Sequence, residues 1–107
     1  MSTYSTQLFI GTVNNNGVLL FTVPAQTTCV VRDVEVLNAS SGDATPSFYF
    51  SVSGVTATFF KVLTLAAQDW RQWQGRAVLP AGGECFANCG IGAPPIQVIV
   101  SGYLLVD

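Results

Sequence analysis

The side chains that could carry chemistry are concentrated in one stretch, "DWRQWQGRAVLPAGGECFA", at residues 69–87. Two carboxylates, Asp69 and Glu84, flank its two tryptophans. Glycosidases need such a pair about 5 to 9.5 Å apart inside a cleft. In a simpler interpretation Asp69 is a turn residue before a strand, and Glu84 is a polar residue just after the "PAGG" turn. The simpler interpretation is favoured, so we predict no catalytic residue and no enzymatic activity.

Other reactive or metal-binding sites lack the residues they require. The chain has no histidine, which removes the usual general base, the Ser–His and Cys–His nucleophile arrangements and most zinc sites. Cys85 and Cys89 have no further ligands at metal-binding spacing, and "PAGGE" lacks the Lys-Ser/Thr of a phosphate-binding loop. Asp33, Glu35 and Asp43 do not follow the spacing of a calcium loop. We therefore expect neither a metal nor a cofactor.

The two tryptophans favour an interface over a ligand platform. Trp70 and Trp73 are three residues apart, so on a strand they point to opposite faces and cannot form one flat sugar-binding surface. We expect one ring in the core and the other at a surface or interface, where a large ring with a polar N–H is favoured. An irregular segment that brings both rings together remains the alternative. The predicted interface residues are Tyr4, Tyr49, Trp70, Arg71, Trp73 and Arg76, the two arginines serving as interface cations or as partners of nearby acids.

The three cysteines, Cys29, Cys85 and Cys89, are an odd number, which argues against a fully paired disulfide framework. On one strand, Cys85 and Cys89 would share a face but lie about 13 Å apart. A disulfide needs Cα atoms within about 7 Å. Buried free thiols are the favoured interpretation, and a bridge from Cys29 to one of the pair remains open.

The composition points to a covered surface. Of the 107 residues 50% are hydrophobic and 9% are charged, against roughly 25% charged in an average domain. Such a chain suggests a surface covered by a partner or by its own copies. An ordinary β domain that uses uncharged polar residues on its outer faces is the alternative. Four cations and a net charge of −2 argue against nucleic acid as a partner. No apolar run approaches the roughly 18 residues of a membrane helix, and the N-terminus does not resemble a signal peptide.

The pattern of the chain predicts an all-β fold. Short runs rich in Val, Ile, Phe, Tyr and Thr alternate with turn-forming residues, and helix signals are almost absent. We predict a single domain over residues 1–107, an antiparallel, jelly-roll-like β-sandwich of about eight strands. Residues 1–7 are expected to form a flexible N-terminal arm that becomes ordered on binding.

Local patterns give finer predictions. Asn16-Gly17 is the strongest hairpin signal and is expected to join two paired strands, residues 7–13 and 18–24. Strict alternation puts Val30, Arg32, Val34 and Val36 on one face of the next strand, with Val34 and Val36 inward. In the following strand Phe48, Phe50 and Val52 share the buried face. The last strand, residues 95–107, is mostly apolar on both faces after residue 98 and is expected to be central or covered on both sides. Asn38-Ala39-Ser40 matches a glycosylation sequon, but such matches are frequent by chance.

The second half of the chain resembles a family. "WQGRAVLPAGGECFA", followed by the closing "IQVIVSGYLLVD", resembles small β-sandwich proteins of tailed-bacteriophage virions. In many of them an aromatic residue or glycine precedes a short "R-x-V-L-x-x-G-E" turn, which is followed by a strand of small residues and a terminal "V-x-V-S-G-Y" strand. The earlier "VRDVEVLNASSGDATPSFYFSVSG" resembles their pair of strands around an Asn-Ser/Thr-Gly loop.

The resemblance implies a non-enzymatic virion part, such as a capsid decoration (cement) protein that binds and stabilises the head. The expected partners are copies of the chain itself, in a homo-oligomer such as a trimer, and a major capsid protein or tail subunits. The expected location is the virion, assembled in the bacterial cytoplasm. A tail or head–tail subunit, and a carbohydrate-binding or receptor-binding β-sandwich module, are the alternatives.

Overall fold

The chain folds into eight β-strands and no helix over the residues described. The computed structural model describes the backbone of residues 2–106 and the side chains of residues 6–106. The strands are β1 (Ser2–Val13), β2 (Val18–Thr22), β3 (Thr27–Asn38), β4 (Ser47–Val52), β5 (Val55–Lys61), β6 (Trp70–Leu79), β7 (Glu84–Asn88) and β8 (Ile96–Val106). The all-β prediction is confirmed.

The strands form two antiparallel sheets of four. The order is β1-β8-β3-β6 in the first sheet and β2-β7-β4-β5 in the second. The first strand pairs with the last, β2 with β7, β3 with β6 and β4 with β5. This is the winding of a long hairpin folded over on itself, which gives the double sheet of a jelly roll. The prediction of a jelly-roll-like sandwich is therefore confirmed, and so is the central place of β8, between β1 and β3.

The Asn16-Gly17 hairpin prediction is wrong, because β1 and β2 lie in different sheets. Gly17 does adopt a positive φ of 69°, so a sharp turn is present. The polar groups of the turn bind the end of β7 and the β7–β8 loop instead of closing a β1–β2 ladder. The Asn16 Oδ1 atom accepts hydrogen bonds from the amides of Cys89 and Gly90, each at 3.0 Å, and the Gly17 amide donates to Asn88 Oδ1. The turn carries the chain from one sheet to the other.

The core lies between the two sheets, and most of the predicted inward faces are confirmed. Val34 and Val36 are buried, and Phe48 and Phe50 are buried while Val52 packs against the core. The alternation predicted for the start of β3 is wrong. A register shift at Arg32 inserts one residue into the strand, so Val31, and not Val30, joins Val34 in the core cluster.

Two further predictions concern the termini and the thiols. Residues Ser2 to Gln7 of the expected N-terminal arm form the first half of β1 and pair with β8. That this segment is flexible before it binds a partner stays a prediction. Cys29, Cys85 and Cys89 are all buried free thiols, as the favoured interpretation held.

Candidate functional site

The two carboxylates of the 69–87 stretch do not meet. Asp69 immediately precedes β6, and Glu84 begins β7 after the turn that follows β6. They therefore stand beyond opposite ends of a ten-residue strand, which spans about 33 Å. That separation is several times the distance that paired carboxylates use in glycoside hydrolysis. The pair does not form a glycosidase site.

Asp69 instead organises the start of β6. Its Oδ2 atom accepts a hydrogen bond from Arg71 at 2.9 Å, and its Oδ1 atom accepts one from the Trp70 amide at 2.8 Å. The hydrogen bond from Arg71, followed by that from the Trp70 amide, lowers the pKa of the Asp69 carboxyl. Both groups are exposed enough for solvent to screen the ion pair, so its part in stability is small. Arg71 is thus a partner of a nearby acid, one of the two roles predicted for it.

The two tryptophans divide between core and surface, as the three-residue spacing predicted. Trp73 packs against the core, with its ring edge-on to Phe59 at a centroid distance of 5.0 Å. Trp70 leaves 58% of its surface exposed on the outer face of the first sheet. A shared sugar platform of both rings is therefore absent, and Trp70 is the tryptophan that is exposed to a ligand or partner.

Trp70 borders a groove on this outer face, which we call the outer groove. Ladder pairs place two rows of side chains across the sheet: Thr12, Gln97, Leu37 and Trp70 form one row, and Ile10, Ile99 and Glu35 form the other. The groove holds about 500 Å³. Its lining is mainly apolar, with Glu35, Gln97 and Thr12 as polar groups. Sequence reasoning found only Trp70 of this set, because its neighbours come from three other strands, β1, β3 and β8, that are distant in sequence.

The other predicted interface residues do not gather around the outer groove. Tyr49 lies on the second sheet and stacks on Phe86 at 5.2 Å. Arg76 is exposed and lines a shallow depression together with Arg32, next to the bulge in β3. The Tyr4 backbone pairs with Leu104 in the first sheet, and its side chain lies outside the described side chains. The six predicted residues are therefore spread over both sheets.

Asn38 is a buried polar centre that the sequence analysis treated only as a sequon. It is 0% exposed, and its Nδ2 group donates to the carbonyls of Gly42 (2.7 Å) and Leu65 (2.8 Å). Its Oδ1 atom accepts from the Ser40 amide and hydroxyl. These bonds tie the β3–β4 loop to the β5–β6 loop. The signal in the sequence was the Asn-x-Ser pattern itself. The same pattern is typical of a turn in which the asparagine side chain accepts a hydrogen bond from the backbone amide two residues later.

The buried thiols are poor nucleophiles and metal ligands. Burial raises the pKa of Cys29 to about 11. Burial, together with the nearby Cys29, raises the pKa of Cys85 to about 12. A thiol must lose its proton to attack or to bind a metal. Within the described part of the chain, no three His, Cys, Asp or Glu side chains are grouped as a metal site would require.

Comparisons with known proteins give the fold but no family. No family model and no curated protein matches the chain. Among solved structures, the Drosophila NLP core is 14% identical with a TM-score of 0.59, and the match covers 98% of this chain and 99% of that one. That structure is described as giving insight into pentamer formation and histone binding.

Further matches come from infectious bursal disease virus. The protein of its T13 viral particle is 10% identical, with a TM-score of 0.56, and that of the Gx strain is 12% identical, with a TM-score of 0.51. Each match covers 98% of this chain, which spans about a third of the viral protein. At these identities the likeness establishes a shared sandwich fold. No helix among the described residues is long and apolar enough to cross a membrane.

Proposed function

We propose that this chain is a non-enzymatic structural protein of a virion, and that it acts as a capsid decoration protein of a tailed bacteriophage. The observation that carries the proposal is a charge-poor jelly roll that exposes several large apolar side chains. Seven large apolar side chains of the described residues each leave 46% or more of their surface exposed: Ile10, Leu19, Val55, Leu63, Trp70, Val78 and Ile91. Such exposure favours burial against other subunits.

The structural neighbours support an assembling protein. Two of them come from viral particles, and another is described in terms of pentamer formation. Asp69 and Glu84 are too far apart to act as a glycosidase pair. The raised pKa values of Cys29 and Cys85 make these thiols poor nucleophiles and metal ligands. A repeated subunit that holds larger subunits together by buried apolar area fits these observations.

The experiment is to locate the chain on particles. An antibody raised against the purified protein is applied to intact virions of the virus that encodes it, and labelled particles are imaged by electron microscopy. Label spread over the head supports a decoration protein, and label on the tail or at the neck supports the alternative of a tail or head–tail subunit. Unlabelled virions, with the chain also missing from denatured particles on a blot, would overturn the proposal.

The outer groove favours a second candidate function, binding of a carbohydrate. An exposed Trp70 ring beside Glu35 and Gln97 offers a stacking surface and hydrogen-bonding groups. Titration with a broad oligosaccharide panel, followed by tryptophan fluorescence, tests it. Binding that Trp70→Ala abolishes and Trp73→Phe retains supports a glycan module. A panel without any response overturns this second candidate.

A further inference from the structure

The charged side chains are confined to one part of the fold. Residues 1–31 contain no Asp, Glu, Lys or Arg. They form β1, β2 and the start of β3. Strands β1 and β2 are the outermost strands of their sheets on the same side of the sandwich, where they contact each other. We call the surface formed by these two strands the β1–β2 side.

The opposite side, formed by β5 and β6, is protected in a way that the β1–β2 side is not. An edge strand exposes unpaired N–H and C=O groups, and proteins commonly block it with charged side chains, especially lysine. Lys61 ends β5, and Arg71 and Arg76 lie on β6. No such charge exists on β1 or β2. Their free backbone edges are open to pairing with another strand.

A cleft between the two sheets opens on the β1–β2 side. It holds about 200 Å³ and is lined mainly by apolar groups. Leu8, Phe21, Val23, Cys29 and Leu104 are among its lining residues. A register shift at Leu8 locally separates β1 from regular pairing with β8. An apolar side chain from another molecule can fill this cleft.

From these observations we propose that the β1–β2 side is the surface through which copies of this chain bind one another. The inference deepens the proposed function, since it names the self-association surface of the structural subunit. Strands β1 and β2 of each copy face those of its neighbour, and the uncharged sides meet around a rotation axis. The number of copies follows from the measured mass.

The partner that binds the β1–β2 side is a second copy of the chain, because the β1–β2 side of that copy has the same lack of charged side chains and the same size. A charged macromolecule finds no complementary charge here, whereas two uncharged sides meet without repulsion or desolvated ions. The molecule measures 45 × 26 × 19 Å. The β1–β2 side runs along the strands and across the thickness of the two sheets, so an area of 45 by 19 Å, roughly 850 Å², is available for contact. A stable interface buries about 800 Å² on each partner.

Contact with the β5–β6 side of a neighbour is less favourable. It would take Lys61 and Arg76, together with the Arg71–Asp69 ion pair, out of water against a surface that holds no carboxylate. An unpaired charge in an interface carries a large desolvation cost. Contact between like, uncharged sides avoids this cost.

The experiment uses two matched pairs of exposed apolar positions on opposite edge strands. In the second sheet, Leu19→Lys on β2 is paired with the control Val55→Lys on β5. In the first sheet, Ile10→Lys on β1 is paired with the control Val78→Lys on β6. All four side chains are 46% to 71% exposed, so the free subunit is expected to tolerate each change. Light scattering and sedimentation equilibrium give the mass, and circular dichroism with thermal unfolding verifies folding.

We expect the wild type and both controls to form one oligomer of the same mass. Leu19→Lys and Ile10→Lys are expected to weaken association about 100-fold or more, because each would bury a lone ammonium group. Oligomers that persist in both β1–β2 variants but dissociate in both controls would place the interface on the other side. A wild type that is monomeric at roughly 100 µM would also overturn the inference, because an interface of this size and composition is expected to bind more tightly.

Hydrogen exchange gives a readout that does not depend on the variants. Among the described strands, none pairs with the outward-facing edge amides of β1. They are expected to be protected in the wild-type oligomer and to exchange rapidly on dilution to monomer, while β5 amides change little. Protection of β5 in place of β1 contradicts the inference. If the oligomer behaves as expected but virions remain unlabelled, the interface stands and the virion role fails.

Discussion

At the scale of single residues, Asn38 holds the loops at one end of the sandwich. Its amide group makes two donor and two acceptor contacts while fully buried. A buried side-chain amide is stable only when such bonds are made, because each unpaired polar group carries a desolvation cost. The same burial makes Asn38 inaccessible in the folded protein as a glycan acceptor.

We expect Asn38→Ala to lower the free energy of unfolding by about 2–4 kcal/mol, since a fully buried side chain loses its four hydrogen bonds. Urea unfolding followed by tryptophan fluorescence measures the change. Asn15→Ala is the control, because Asn15 is exposed and its side chain bonds only the neighbouring Asn16 amide; its effect is expected to stay within about 0.5 kcal/mol. Equal losses in the two variants would contradict the role given to Asn38.

The buried thiols make stability depend on alkaline pH. Unfolding returns Cys29 and Cys85 to the ordinary thiol pKa of 9.0, from about 11 and about 12 in the folded protein. Between these values the folded state retains protons that the unfolded state releases, so stability falls as the pH rises. Below about pH 8 both states are protonated and the thiols contribute no pH dependence.

We expect each thiol to remove up to about 1.4 kcal/mol of stability per pH unit above pH 9. Urea unfolding of the wild type and of Cys85→Ala, from about pH 7 to 10.5, measures the two slopes. Cys85→Ala is expected to be less stable near neutral pH because it leaves a cavity, but its alkaline slope is expected to be shallower. Parallel slopes would show that Cys85 titrates alike in the folded and unfolded states.

At the scale of elements, a β-bulge shapes the first sheet. Where β3 accommodates an extra residue at Arg32, the Val30 carbonyl approaches Gly102 of β8 so closely that no Cβ atom fits there. Val31 Cα would lie only 3.1 Å from such an atom. Because the obstacle is the backbone of β3, which pairs with β8, it cannot move away without breaking the ladder.

We therefore expect Gly102→Ala to destabilise the protein by about 1–3 kcal/mol, the usual range for overpacking a core position. Thermal unfolding of the variant is compared with that of Gly42→Ala. A Cβ atom added at Gly42 would meet no other atom within 4 Å, and the φ of Gly42 is not positive, so this control is expected to be neutral or slightly stabilising. A neutral Gly102→Ala would show that the bulge in β3 relaxes.

The strands were largely predictable from the sequence, while their partners were not. Period-two alternation places Phe48 and Phe50 inward because β4 is regular. It fails at Val30 because one extra residue at Arg32 inverts the alternation, and a bulge leaves no clear mark in composition. Asn16-Gly17 predicts a sharp turn, because both residues tolerate a positive φ. Whether the two strands that the turn joins pair with each other depends on long-range pairing, which the turn residues do not determine. The outer groove was missed for the same reason: Ile10, Glu35 and Gln97 meet only through the ladder.

At the scale of the whole molecule, the fold sorts charge by position in the chain. The jelly-roll winding brings the first two strands to one side of the sandwich and leaves β5 and β6 on the other. All charged side chains in the described strands lie on β3, β5, β6 and β7. A sequence whose first 31 residues have no charged side chain thereby becomes a molecule with one side whose strands carry no charged side chain.

This distribution predicts how association responds to salt and temperature. If copies meet through their β1–β2 sides, no ion pair is made or broken. We therefore expect the dissociation constant to change by less than about threefold between roughly 0.05 and 0.5 M NaCl. Sulfate is expected to tighten association and cooling to weaken it, as for burial of apolar surface. Sedimentation equilibrium across these conditions measures each trend. A tenfold or larger weakening in NaCl would instead place Arg71, Arg76 or Lys61 in the interface, since only contacts between charged side chains are screened so strongly.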